Sequence, residues 1–221
     1  MDFESALKLR SSRLLETGSG RSIEVCEFAQ SAYSDAHSAM LEHVSKSVDD
    51  DINNDQIWLL EHERVYTQGT ACQLQTLLPS DIPTIKTDRG GQITYHGPGQ
   101  LILYPLLHLK PLGLGVKTLV ASLEQAVIDT LASLSVLAER RQDAPGVYVD
   151  GAKIAALGLR IRRGRSYHGL SLNIDLDLSP FTNIDPCGYQ GLRVTQLSDL
   201  VPQFDAAKVR ADLVANFVSL I

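Results

Sequence analysis

The chain has 221 residues, of which 44% are hydrophobic and 21% charged; this composition is ordinary for a globular protein and argues against disorder. Its formal net charge of −6 argues against general affinity for nucleic acid, because phosphate binding needs a basic face. The N-terminus interleaves charges with apolar residues, and no run reaches the roughly 18 to 20 apolar residues of a membrane span. We therefore expect a cytoplasmic protein.

Apolar spacing predicts helices and strands in chain order. Residues 28 to about 48 have apolar side chains close to helical spacing, whereas 57–62 form a compact apolar run typical of a strand. Long amphipathic helices are predicted over 116–134 and 205–221, the second with Asp205 as its N-cap. Strand segments lie between these helices at 101–107, 146–161 and 166–178.

Two turn sequences separate the later strands. Asp150-Gly151 between apolar runs is a strong hairpin pattern, and Arg163-Gly164-Arg165 can form a second turn. Strands in blocks with helices between them predict an α+β, or mixed α/β, fold. We expect one domain over residues 1–221, built around one mixed sheet flanked by helices.

The segment from Arg89 to Leu107 joins a glycine-rich backbone to polar side chains. Gly90-Gly91 and Gly97-Pro98-Gly99 bracket residues 92–96 and lead into an apolar strand. A tight turn before an edge strand is the common structure for such a pattern. The crowding of Arg89, Tyr95 and His96 into this segment weakens that interpretation.

Lys153 follows the predicted Asp150-Gly151 turn and has small apolar neighbours. Lysines are usually exposed. Strand alternation would place Lys153 on the same face as Ala155 and Leu157, which would desolvate its amine.

Cys187 lies between Pro186 and Gly188 in a predicted loop. A lone cysteine is more often a small buried hydrophobe than a nucleophile. Cys26 and Cys72 have no comparable loop setting, and the wide spacing of the three cysteines offers neither a disulfide framework nor a paired zinc motif. The loop position and the adjacent glycine make Cys187 the candidate nucleophile.

Three separated motifs occur in order along the chain. They are Arg89-Gly90-Gly91-x-x-Thr94-Tyr95-His96-x-x-Gly99-Gln100-x-x-x-Tyr104, then Gly151-Ala152-Lys153-Ile154 with Gly158-Leu159-Arg160, then His168-Gly169-Leu170, Leu172-Asn173 and Pro186-Cys187-Gly188. This pattern resembles the lipoyl/octanoyl transferase family, the octanoyl-acyl carrier protein:protein N-octanoyltransferases of lipoate biosynthesis. The resemblance runs roughly from Ile57 to Leu200 and leaves the first twenty or so residues outside.

The resemblance implies a fold similar to the catalytic domain of biotin protein ligases and lipoate ligases. It implies Cys187 as the acyl-accepting nucleophile and Lys153 as its partner. It also implies acyl-chain contacts by residues of three segments, namely Arg89, Gly90, Gly91, Gln92, Ile93, Thr94, Tyr95, His96, then Ala156, Leu157, Gly158, and finally Gly169, Leu170 and Ser171. Ser171 departs from the pattern, since the family commonly has Ala there.

The same resemblance implies the partners. The expected donor is octanoyl-acyl carrier protein, and the expected acceptor is a lysine of a lipoyl domain, in 2-oxoacid dehydrogenase complexes or in the glycine cleavage H protein. We expect no cofactor, no nucleic acid and no membrane. We also expect no metal, because no metal-ligand spacing joins His37, His43, His62 and His108.

The predicted hairpin 159–169 carries Arg160, Arg162, Arg163 and Arg165 and is a basic exception in an acidic chain. It is either a solvated turn or a surface that steers an acidic acyl carrier protein or lipoyl domain.

Three other functions remain open. An ATP-dependent lipoate ligase would need ATP and the free acid, and residues 110–118 lack the glycine directly before Lys-Thr that a phosphate loop requires. A cysteine hydrolase would need a base such as His96 or His168. A non-catalytic binder would not need both Cys187 and Lys153.

Overall fold

The computed structural model describes residues 7–46, 54–72, 81–142, 144–184 and 192–221. The elements in chain order are β1 (Leu9–Glu16), β2 (Ser22–Phe28), α1 (Tyr33–Lys46), β3 (Gln56–Leu60), β4 (Val65–Gln68), β5 (Thr84–Lys86), β6 (Ile93–His96), β7 (Gln100–Leu106), α2 (Val116–Ala132), β8 (Glu139–Arg140), β9 (Val147–Val149), β10 (Ala152–Arg162), β11 (Arg165–Asn173), a 3-10 helix (Ser179–Asn183), α3 (Leu197–Leu200) and α4 (Ala206–Ser219). Among these described residues, no helix is long and apolar enough to cross a membrane.

Eight strands form a large mixed sheet in the order β1-β2-β3-β7-β11-β10-β9-β8. The pair β2–β3 is parallel and is connected through α1, while the other neighbouring strands are antiparallel. Because β1 pairs with β2 along its length, residues 9–16 belong to this sheet although the sequence resemblance begins further along the chain.

The large sheet has an apolar layer on each face, as period-2 alternation requires. In β3, Trp58 and Leu60 pack in the cluster that contains Met40 and Val44 of α1. Ile57 and Leu59 belong to the opposite cluster, which also contains apolar residues of α2 and α4, namely Leu119, Leu123, Val127, Leu213 and Phe217. The predicted mixed α+β architecture with helices flanking a sheet is confirmed.

A second, three-stranded sheet has the order β5-β4-β6. Its buried residues Tyr66, Ile93 and Tyr95 pack with Leu176 and Ile184 in a separate apolar cluster. The expectation of one sheet was therefore wrong. These strands have three or four residues each, which is too short for alternation to be legible in the sequence.

Both predicted hairpins are present. Asp150 and Gly151 have φ of 47° and 77°, and Arg163 and Gly164 have φ of 51° and 81°; left-handed values at both positions are those of a type I′ turn, which matches the twist of the flanking strands.

The predicted helix ends are right in one case and wrong in another. The Asp205 side chain accepts hydrogen bonds from the backbone N–H groups of Ala207 and Lys208, so the predicted N-cap is confirmed. The first helix begins at Tyr33 rather than at Phe28, because Phe28 is the last residue of β2 and packs against Trp58.

Candidate functional site

A cavity of about 750 Å³, counting its open mouth, lies between strands of the two sheets. Residues of β6 contribute one wall, and residues of β7, β10 and β11 contribute the others. Small-molecule sites usually have mostly apolar walls with a few polar groups. The mostly apolar lining of this cavity suits a ligand with an aliphatic chain.

Most of the predicted site residues line this cavity. They are Lys153 together with Arg89, Gly91, Gln92, Ile93, Thr94, His96, Ala156, Leu157, Gly158, Gly169, Leu170 and Ser171. Two predicted residues lie outside the lining. Gly90 donates its N–H to the carbonyl of Leu159 at 3.1 Å, and Tyr95 packs on Phe181 in the cluster beneath β6. Cys187 lies outside the described residues, in the gap 185–191.

Lys153 is buried, with 3% of its surface exposed. Its Nζ donates a hydrogen bond to the carbonyl of Pro145 at 3.1 Å and lies 5.2 Å from the centroid of the Tyr148 ring. Gly146 makes room for it, since a Cβ there would stand 3.0 Å from Lys153 Cε and 3.2 Å from Nζ. The predicted burial of Lys153 is therefore correct, although a register shift between Lys153 and Ala155 interrupts the simple strand alternation from which it was predicted.

The backbone of Lys153 ties β10 to the segment that follows the 185–191 gap. Its N–H donates to the carbonyl of Arg193 at 2.8 Å, and its own carbonyl accepts from Thr195 N–H at 3.0 Å. Phe181 before the gap and Val194 after it both line the cavity. The chain therefore borders the cavity on both sides of the segment that contains Cys187.

Arg89 shapes the wall through contacts inside the protein. Its guanidinium donates to the Thr67 hydroxyl from Nε at 3.0 Å, to the Thr67 carbonyl from Nη2 at 2.5 Å, and to the Gly90 carbonyl from Nη1 at 2.9 Å. Gly158 lies against this loop, where a Cβ would meet Gly90 O at 2.9 Å and Arg89 Cδ at 3.2 Å. A glycine at position 158 therefore lets the 89–91 loop pack directly on β10.

His96 belongs to a directed hydrogen-bond chain. Its Nδ1 contacts Gln100 Oε1 at 2.7 Å and its Nε2 contacts the Thr67 hydroxyl at 3.3 Å. The Gln100 amide nitrogen donates to Asn173 Oδ1 at 2.9 Å. Burial lowers the pKa of His96 well below its ordinary value. The ring is therefore neutral at physiological pH, and it donates from Nδ1 because the Gln100 oxygen can only accept.

His168 is the second buried histidine of the cavity wall. Its Nε2 contacts Asp88 Oδ1 at 2.8 Å, and its Nδ1 lies 3.4 Å from the Tyr33 hydroxyl. Burial lowers the pKa of His168. The hydrogen bond from His168 holds the pKa of Asp88 well below its usual range. The backbone of His168 has a left-handed φ of 56°, a strained conformation for a residue with a Cβ.

Sequence reasoning did not assign several other lining residues to the site, namely Tyr33, Gln100, Ile102, Tyr104, Ala155, His168, Asn173, Phe181 and Val194. Gln100, Tyr104, His168 and Asn173 stand within the recognised motifs, so a signal for them existed. Tyr33 comes from α1, far from those motifs in the chain, and nothing in its local sequence marks it.

The basic hairpin is only partly exposed. Arg160, Arg162 and Arg163 are exposed, but Arg165 is buried and forms an ion pair from Nη1 to Asp55 Oδ1 at 3.3 Å. Including Arg165 in the basic surface was therefore wrong: a charge at the first residue of β11 is paired inside the fold rather than presented to solvent.

Solved structures with the same fold are lipoate protein ligases. A lipoate-protein ligase A bound with ATP is similar with a TM-score of 0.65 over 88% of this chain and 83% of that chain, at 15% identity. The bipartite lipoate protein ligase of Thermoplasma acidophilum gives a TM-score of 0.61 over 80% of this chain and 76% of that one, also at 15% identity. The mixed sheet and its cavity thus define a protein with the lipoate-ligase fold.

Sequence similarity then gives the family. Residues 35–218 match the model of the lipoyl protein ligase A/B catalytic domain, and the chain belongs to this family. The octanoyltransferase of Pseudomonas putida strain F1 is 58% identical over 167 residues, which are 75% of this chain and 78% of that protein. The octanoyltransferase of Cellvibrio japonicus is 49% identical over 197 residues, 88% of this chain and 91% of that protein. The family recognised from the three motifs is confirmed.

Proposed function

We propose that this chain is an octanoyltransferase of protein lipoylation. It takes the octanoyl group from octanoyl-acyl carrier protein, holds it as a thioester on Cys187 and passes it to a lysine of a lipoyl domain. The observation that carries the proposal is the buried amine of Lys153 at the wall of an apolar cavity. The proteins named octanoyltransferase that are 49–58% identical to this chain support it.

The position of Cys187 in the chain is compatible with this role. Phe181 and Val194 line the cavity, and Cys187 is only six or seven residues from each of them in the sequence. A chain of that length spans at most about 20–25 Å when fully extended. The short sequence separation from two lining residues therefore supports a role for Cys187 at the cavity that Lys153 borders.

The chemistry needs no ATP. Attack of the Cys187 thiolate on the donor carbonyl breaks one thioester and forms another, and the carrier thiol leaves with a proton. The acceptor lysine amine then attacks the new thioester, an amide forms, and Cys187 is released as a thiol. Covalent catalysis thus divides one transfer between two macromolecules into two simpler steps.

Lys153 serves proton transfer in this scheme more than thiol activation. Lowering a thiol pKa from about 8.5 by about two units raises the thiolate fraction at pH 7 about 25-fold. The intrinsic nucleophilicity falls nearly tenfold, with a Brønsted slope of about 0.4–0.5. Because the net gain is only a few-fold, Lys153 acts mainly as the base that accepts the thiol proton and later a proton from the incoming amine.

The rival functions make different demands. A hydrolase would need a histidine nitrogen aimed at the thiol or at water, but both ring nitrogens of His96 and of His168 already contact protein groups. A ligase would require ATP and the free fatty acid.

Surface charge supports the proposed partners. Arg160, Arg162 and Arg163 give an exposed basic strip on the β10–β11 hairpin, and such a strip attracts the acidic donor or acceptor domain. The cytoplasmic location remains a prediction.

The deciding experiment is intact mass spectrometry of the protein mixed with octanoyl-acyl carrier protein without ATP. The wild type should gain one octanoyl group that hydroxylamine removes and that a lipoyl domain discharges, and the Cys187→Ala variant should gain none. Lipoyl-domain modification only when ATP and free octanoate are supplied would refute the proposal and make the protein a ligase.

A further inference from the structure

Three metal-ligating side chains from distant parts of the sequence meet beside the cavity. They are His37 on α1, Asp88 in the loop between β5 and β6, and His168 on β11. Asp88 Oδ1 lies 3.2 Å from His37 Nε2 and 2.8 Å from His168 Nε2. All three ligand atoms lie within 4.8 Å of one another.

We propose that His37 Nε2, Asp88 Oδ1 and His168 Nε2 form a binding site for one divalent transition-metal ion of the Zn²⁺ class. Two imidazoles and one carboxylate are a common zinc ligand set, and a fourth position would be filled by water. Zinc bonds of about 2.0–2.1 Å at tetrahedral angles place neighbouring ligand atoms about 3.3 Å apart. The contacts of Asp88 Oδ1, at 3.2 and 2.8 Å, are within about 0.5 Å of that spacing. The third pair of ligand atoms lies within 4.8 Å, and the His37 and His168 rings stack at 28° with their centroids 5.1 Å apart, so both rings would turn toward the ion when it binds.

Two of the atoms that would not bind metal, His168 Nδ1 and Asp88 Oδ2, contact other residues. The Tyr33 hydroxyl lies 3.4 Å from His168 Nδ1, and the Tyr167 hydroxyl donates to Asp88 Oδ2. Metal-bound histidines and carboxylates typically have such outer partners, which fix ring orientation and the choice of ligand atom. When Nε2 of His168 binds metal, the proton of the neutral ring moves to Nδ1 and is donated to the Tyr33 oxygen.

The site is open on one side. His168 is 1% exposed, while the side chains of His37 and Asp88 are 22% and 39% exposed. An ion could therefore enter from solvent and retain a water ligand. Without metal, the same arrangement is one in which the Asp88 carboxylate accepts a hydrogen bond from each of the two imidazole N–H groups. The experiment must distinguish this hydrogen-bonded cluster from a metal site.

Metal binding would connect three elements around the cavity. α1 contributes Tyr33 to the cavity lining, the Asp88 loop continues into Arg89, and His168 itself lines the cavity. The inference does not depend on octanoyl transfer, and binding can be measured without any assay of activity.

The test is calorimetric titration of Zn²⁺ into untagged, full-length protein that has been stripped with a chelator. One ion per chain is expected in the wild type. His37→Ala should weaken binding more than about 100-fold, because loss of an outer partner alone typically costs 10–100-fold. Tyr167→Phe, which removes only the hydroxyl that donates to Asp88, should weaken it about 10-fold or more.

The controls separate this site from other zinc ligands. His108→Ala removes a histidine outside the cluster and should leave affinity unchanged. Co²⁺ substitution should give a spectrum without the intense thiolate charge-transfer band that cysteine ligation produces. Circular dichroism of each variant checks that it is folded.

Failure to bind one Zn²⁺ per chain, or equal affinity in wild type and His37→Ala, would overturn the proposal and leave a hydrogen-bonded cluster only. A thiolate band, or an equal loss of affinity in His108→Ala, would also overturn it by placing the ion elsewhere.

Discussion

Two buried histidines outside the cavity should make stability depend strongly on pH between 7 and 5. Burial lowers the pKa of His43 and of His62 to about 4 each. His62 contacts the Ser31 carbonyl through Nδ1 at 3.1 Å and the Tyr104 hydroxyl through Nε2 at 2.6 Å. The neutral ring fits these partners, donating from Nδ1 and accepting at Nε2, and a second ring proton would remove the acceptor that Tyr104 uses.

The sign and size of this pH dependence follow from the linkage between proton binding and folding. In the unfolded chain a histidine has a pKa of about 6.5, so below that pH the unfolded state binds more protons than the folded state and stability falls. For a folded pKa near 4, each histidine contributes about 2 kcal/mol less at pH 5 than at pH 7. The two together remove about 4 kcal/mol, a large part of the roughly 5–15 kcal/mol that stabilises a typical domain. Most of the loss occurs between pH 6.5 and pH 4.

Urea unfolding at pH 8, 7, 6 and 5 measures this free energy for the wild type and for His43→Gln, His62→Gln and the double variant. Glutamine keeps polar donor and acceptor atoms but does not titrate. Each single variant should lose about 2 kcal/mol of the change between pH 7 and pH 5, and the double variant about 4 kcal/mol. The pH dependence that remains includes the contributions of His96 and His168, whose pKa values burial also lowers. Comparison at pH 8 isolates the structural cost of the substitution. A wild-type free energy that changes by less than about 1 kcal/mol between pH 7 and 5, or an unchanged slope in the double variant, would refute the reasoning.

Three further outcomes are expected. Lys153→Met should slow transfer from acyl-enzyme to lipoyl domain by about 10²–10⁴-fold, the usual contribution of a general base, while self-acylation falls much less; single-turnover rates that fall equally in both half-reactions would count against the proton-transfer role. Replacing Arg162 and Arg163 by Glu should lower the donor or acceptor on-rate about tenfold at low salt and weaken its salt dependence, whereas an unchanged stopped-flow rate would leave the hairpin a solvated turn. Asp55→Ala should destabilise the fold by about 3–5 kcal/mol, because it leaves the buried Arg165 charge unpaired; replacing both partners by apolar residues should recover most of that loss in urea unfolding, and a single variant as stable as wild type would contradict the burial argument.

The parts of the fold that the sequence predicted are those with long or local signals. Helices α2 and α4 have many apolar residues at helical spacing, and the two type I′ turns depend on Asp150-Gly151 and Arg163-Gly164 alone. Strands β1, β2, β4–β6 and β8 were not identified. The residues of β1 are mostly exposed, so burial imposes no alternation on them, and the strands of the small sheet are too short to show a period.

The site residues that the sequence predicted are likewise those with a local signal. Lys153 and the 89–96 segment were found because their motifs are contiguous in the sequence. The contacts of His168 with Tyr33 and Asp88 join residues 135 and 80 positions apart. Such a pairing is set by how α1 and the small sheet dock on β11, and one sequence without its fold carries no signal for it. For the same reason the spacing of His37 gave no indication of a cluster with Asp88 and His168.

The polar residues of the glycine-rich motif have a role that sequence reasoning did not anticipate. Arg89, His96 and His168 line the cavity, and their nitrogens form hydrogen bonds with protein groups, namely Thr67, Gln100, Asp88 and Tyr33. A buried polar group that keeps its partners costs little, whereas one that lost them to an aliphatic ligand would cost about 1–3 kcal/mol. Because the described partners are supplied by the fold, an aliphatic ligand can occupy the cavity without replacing these hydrogen bonds. These polar residues therefore form part of the wall of a mostly apolar cavity.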